Sequence, residues 1–166
     1  MLDLIYIKSL LYGGSDGIVT IFNILIGLKN LEMSNQNIIL ITLIVLFGDA
    51  ISMALADFNS NIDTEIYNSN YNILLSSIIT FFSFIIFGSI PIVAYFLLSS
   101  KPNLIYSFFL SFISFSLLIF VSERVRKKEN IWKNTIKKTI ISFFAILFTF
   151  FFSKFINNMK NKFINK

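Results

Sequence analysis

Three aspartates and a methionine sit in stretches of this chain that are otherwise too apolar to carry them. Asp49, Met53 and Asp57 follow one another at spacings of four within Phe47-Gly-Asp-Ala-Ile-Ser-Met-Ala-Leu-Ala-Asp-Phe-Asn-Ser60. On a helix that register stacks all three on one face. Gly48, Ser52 and Ala56 form an adjoining stripe of small residues, the arrangement that lets helices approach closely in lipid. Asp16, Thr20, Asn23 and Gly27 recur at four, three and four, a second polar stripe on a second helix. Carboxylate oxygens from Asp16 and Asp49, the Met53 thioether and neutral oxygens from Thr20 and Asn23 suit a borderline divalent cation such as Fe²⁺ or Mn²⁺. Zinc and copper sites more often recruit His or Cys, and the chain has neither. Calcium wants about six to eight oxygens and has little use for sulfur. Two copies facing each other across a two-fold axis would double the ligand set, which would let so few polar groups per chain line a path.

The elements that must position these groups are membrane helices. The 166 residues are 55% hydrophobic and 14% charged, with apolar runs too long for the core of a small soluble domain. The reading is all-α: a single polytopic domain with five transmembrane helices, at about 11–28, 37–56, 73–98, 104–121 and 139–156. Residues 1–11 read as a short amphipathic lead-in at the interface, with no cleavable signal. Gly88 and Pro91 predict a kink in the third span. The connection 57–72 is acidic, carrying Asp57, Asp63 and Glu65. Residues 123–138 form the most charged stretch, a loop holding seven basic residues against Glu123 and Glu129. Placing that loop in the cytosol puts the N-terminus there too and the C-terminus on the other side. The net charge of +5 then meets anionic lipid, and no nucleic acid partner is expected. Nor is an enzyme: there is no His, no Cys, no phosphate-binding glycine loop and no nucleophile paired with a base. No cofactor is expected.

Each polar group also has a plainer reading. Asp16 would cap a helix broken at Gly13, Gly14 and Gly17, Asp49 would bond a neighbouring helix, and Met53 would fill a packing gap. Asp57 lies near the membrane surface, solvated or guiding cations to the mouth. Asp63 and Glu65 belong to a polar loop whose alternative role is metal recruitment.

Tyr12-Gly-Gly-Ser-Asp-Gly-Ile-Val-Thr20, with Phe22 and Gly27 following, resembles the first-helix signature of the vacuolar iron transporter family, which includes the shorter nodulin-like members. Asp49-Ala-Ile-Ser-Met-Ala-Leu-Ala-Asp-Phe-Asn-Ser60 resembles its second-helix signature, and Gly88-Ser-Ile-Pro-Ile-Val93 its third. The resemblance covers roughly residues 5 to 100. It implies a homodimeric five-helix protein that moves ferrous iron, and often manganese, from the cytosol into a vacuole or equivalent endomembrane compartment in exchange for protons. Asp16 and Met53 match the family's translocation-path aspartate and methionine. Asp49 matches an acidic residue that some members carry one turn before that methionine. Others carry a glutamate two turns before it, where this chain has Val45. The cytosolic metal-collecting domain that longer members hold between helices two and three is missing, and the fifth helix is Phe-rich where glycine and alanine are usual.

Proton exchange also follows from the chemistry, since metal and protons compete for the same carboxylates. Two other functions fit the same fold: a non-transporting scaffold or regulatory subunit, and a passive cation channel.

Overall fold

The computed structural model describes residues 2–62, 70–97, 103–126 and 130–164. Among these the chain is helical: α1 (Leu2–Asn30), α2 (Asn35–Asn61), α3 (Asn70–Ser89), a single 3-10 turn (Ile90–Ile92), α4 (Val93–Leu97), α5 (Asn103–Val125) and α6 (Ile131–Ile164). Among the described residues five units are long and apolar enough to cross a membrane, α3 and α4 counting as one broken span. The chain is an all-α membrane protein with five transmembrane helices.

α1 is the hub. One side of it meets α2, α3 and α4 in a core of Ile21, Leu25, Ile38, Leu46, Ala50, Phe84 and Tyr95. The adjoining side meets α5 and α6 through Ile18, Phe22, Ile26, Phe115, Leu118 and Ile146. The approach of α1 to α3 depends on glycine. A Cβ at Gly13 would collide with the Thr80 carbonyl oxygen, and one at Gly17 would stand 2.6 Å from the carbonyl oxygen of Phe84. These glycines therefore do not break the helix around Asp16. They let two backbones touch, as small residues do in lipid.

The end of α1 is a Schellman turn: Met33 N–H bonds the Leu28 carbonyl at 3.3 Å and Glu32 N–H bonds that of Lys29 at 3.0 Å. Glu32 takes the left-handed conformation, φ 57°, that glycine usually fills. Ser34 then caps α2, its hydroxyl accepting from the Asn37 N–H at 3.3 Å.

Pro91 breaks the third span as expected, because it offers no N–H to the carbonyl four residues earlier. That carbonyl belongs to Phe87, and the Ser114 hydroxyl of α5 donates to it at 3.1 Å. Ser107 bonds the Pro91 carbonyl at 2.8 Å. The kink is thus closed by hydroxyls from the neighbouring helix, as backbone groups in hydrocarbon require.

Two expected boundaries differ. Residues 2–11 are not a separate interfacial helix but the first turns of α1. The charged stretch 123–138 is largely helical, split between the ends of α5 and α6. Its Glu123 is fully buried and ion-paired with Lys138, while Arg124, Lys133 and Lys137 point outward. One buried charge is matched within the protein, so a loop was not needed to hydrate it.

Candidate cation-binding face

The two cores occupy adjoining sides of α1 and leave the remaining side open. Asp16, Asn23 and Gly27 are exposed there in the single chain, with Thr20 half-buried beside them. Thr20 stands one turn along α1 from Asp16 on the same face, and Asp49 of α2 is close enough for the two carboxylates to repel one another.

Helix register explains the meeting. α2 buries Ile38, Thr42, Leu46 and Ala50 against its neighbours, so Asp49, one residue before Ala50, falls at the margin of that contact. Met53, one turn further on, is half-buried and packs against the same core. Gly48, Ser52 and Ala56 are exposed, and no atom lies within 4 Å of where a Cβ on Gly48 would project.

Asp57 is placed differently from the expectation of a solvated group. Its Oδ2 accepts from the Ser76 hydroxyl at 2.8 Å and its Oδ1 from the Asn61 carboxamide at 3.1 Å. Ser76 in turn shares a 2.5 Å hydrogen bond with Ser9 of α1. The carboxylate therefore ties the end of α2 to α3 and, through Ser76, to α1. Asp63 and Glu65 lie outside the described residues. Among the described residues no three His, Cys, Asp or Glu side chains gather in a group that could hold a metal ion. What the structure brings together is Asp16, Thr20 and Asp49, with Met53 on the next turn and Asn23 further along α1.

One set of polar residues was not singled out from sequence. Thr135, Thr139, Ser142, Thr149, Ser153 and Asn157 of α6, with Ile146 between them, lie at spacings of four, three, four, three, four and four and are buried or half-buried. Phe144, Phe148, Phe151, Phe152 and Phe155 are exposed on the other faces. α6 thus mixes these hydroxyls and Asn157 with Ile146 and Phe150 on its inward side and leaves bare phenylalanine outward. The spacing alone would have revealed this, had the phenylalanines not dominated the composition.

The fold and this face define a five-helix membrane protein with acidic groups turned away from its own cores. The sequence profile of the VIT family matches residues 7–72 and 62–154, and the chain belongs to that family. The two matched stretches overlap at residues 62–72, over the connection between α2 and α3. A vacuolar iron transporter from Toxoplasma gondii (strain ATCC 50861 / VEG) is 40% identical over 55 residues, which are 33% of this chain and 18% of that protein. The matched stretch thus spans under a fifth of that relative's length. No solved structure matches the chain.

Proposed function

We propose that the protein carries a divalent metal cation, Fe²⁺ or Mn²⁺, across a membrane from the cytosol into a vacuole-like compartment, in exchange for protons. The observation that carries this reading is the convergence of Asp16, Thr20 and Asp49 on an open face of the molecule. Two like charges held together on a face of a transmembrane helix pair are costly unless a cation or protons answer them. Family membership and the vacuolar iron transporter from Toxoplasma gondii support the same direction.

One copy supplies only two carboxylates, a hydroxyl and, one turn away, a thioether. A second copy docked on the Gly48, Ser52 and Ala56 stripe would bring a second such set opposite the first. Carboxylates take up protons when the metal leaves, which couples the two movements in opposite directions. A cytosolic N-terminus is supported by charge asymmetry, with basic residues gathered at the end of α5 and the start of α6.

The test is uptake of Fe²⁺ and Mn²⁺ into proteoliposomes with an imposed pH gradient and clamped voltage. Uptake should need the gradient, and Asp16→Ala and Met53→Ala should abolish it while crosslinked dimers persist. Uptake indifferent to the gradient would make the protein a channel, and no uptake in any variant would leave a scaffold.

A further inference from the structure

The single tryptophan of the chain stands beside a groove that the cation-binding face does not use. The groove, of about 320 Å³, opens on the outer surface between α5 and α6 and is lined by Ile113, Ser116, Leu117, Phe120, Trp132 and Thr135. Its walls are oily. The Ser116 hydroxyl is bonded to the Phe112 carbonyl at 2.9 Å, and the exposed Trp132 ring lies 5.4 Å from that of Phe120. From Ile113 to Arg124 the helix rises about 16 Å, roughly half the hydrocarbon thickness of a bilayer, so the groove follows one leaflet. Trp132 suits the headgroup level at its end.

That end is also basic. Arg124 continues the Phe120 face of α5 by one turn and is exposed. Among the described residues no carboxylate pairs with it, since its neighbour Glu123 is held by Lys138. Trp132 and Lys133 belong to the first turn of α6, whose leading N–H groups have no acceptor within the helix and favour an anion. Within the groove wall the Thr135 hydroxyl is buried and without a hydrogen-bond partner. One rotamer step turns it toward the open space.

We infer that this groove binds one anionic phospholipid, with an acyl chain along Ile113, Leu117, Phe120 and Trp132 and the phosphate between Arg124 and the start of α6. An open, apolar channel as long as one leaflet is deep is the shape an acyl chain fills. A neutral lipid would fill the apolar part equally well, so preference for an anion comes from Arg124 and the free amides of α6. The Thr135 hydroxyl then finds its acceptor in the ester carbonyl that joins chain to headgroup. Neither Asp16 nor Asp49 takes part, and the site stands whether or not the protein moves metal.

Because no other tryptophan is present, indole fluorescence reports this groove directly. The full chain is reconstituted in phosphatidylcholine vesicles, and lipids brominated in their acyl chains, which quench indole on contact, are introduced at rising mole fraction as phosphatidylglycerol or as phosphatidylcholine. Brominated phosphatidylglycerol should occupy the groove about fivefold more readily, the preference one basic residue supplies at a membrane surface. Arg124→Gln should bring the two lipids near parity. Lys137→Gln removes the same charge from another, exposed face of α6 and should leave the preference intact. Equal quenching of the unaltered protein by both lipids would overturn the site, leaving only ordinary lipid contact. A preference that survives Arg124→Gln, or that Lys137→Gln lowers just as much, would overturn it too, because the charge at work would then belong to the surface at large.

Discussion

The hydroxyl of Ser114 on α5 donates to the Phe87 carbonyl at 3.1 Å, four residues before Pro91, and so replaces the N–H that proline lacks. The two features should therefore be energetically coupled. Ser114→Ala alone should destabilise the protein by about 1–2 kcal/mol, since a buried carbonyl loses its partner. In a Pro91→Ala background, where residue 91 regains an N–H, the same substitution should cost almost nothing. A double-mutant cycle on unfolding temperatures in detergent measures the coupling.

Glu123 and Lys138 form an ion pair whose partners differ in burial: the carboxylate is sealed while the lysine side chain keeps 41% of its surface exposed. Removing the lysine strands a buried charge, whereas removing the glutamate leaves an ammonium that can reach water along its flexible stem. Lys138→Ala should therefore cost more than Glu123→Ala, about 3 kcal/mol or somewhat less given the partial exposure. Thermal unfolding of the two variants decides the order, and equal losses would contradict it.

Asp16 and Asp49 repel one another when both are ionised and no cation is bound. Asp49→Asn should consequently raise the unfolding temperature of metal-free protein, because it removes that repulsion. The same change should weaken Mn²⁺ binding at least about tenfold, the loss expected even from an outer-sphere metal partner. Mn²⁺ titration followed by thermal shift reads both effects in one series. A variant that gained stability and kept its metal response would place the cation elsewhere.

Asp57 gives the opposite pattern. It holds Ser76 and Asn61 at 2.8 and 3.1 Å, so Asp57→Ala should lose about 2 kcal/mol of stability from two hydrogen bonds to a charged acceptor. Its Mn²⁺-induced thermal shift should remain that of the unaltered protein. Asp57→Asn, which can still accept from Ser76, should recover part of the loss.

The five spans were legible because run length is read directly against bilayer thickness, and Pro91 announced its kink by a missing donor. The stripes told which residues of each helix share a face. They could not tell which faces meet, since that depends on side chains from other helices; Asp57 shows the difference, being secured by a serine 19 residues away. Gly13 and Gly17 suggest a helix break in the sequence, where the same missing Cβ serves a close crossing instead. Glu123 was read as loop because charge density argues for water, and only the position of Lys138 shows how the chain answers it internally. The face shared by Asp16, Thr20 and Asn23 is legible to the eye. Its meeting with Asp49 is a fact of tertiary packing.

The outward phenylalanines of α6 touch fatty acyl chains, which accept one oily side chain about as readily as another. Those positions are constrained by little beyond oiliness, whereas the inward register must fit the side chains of neighbouring helices. Two relatives could thus look unrelated along this helix and yet agree at every fourth or third position, and an alignment that weights all its residues equally would score the resemblance as noise.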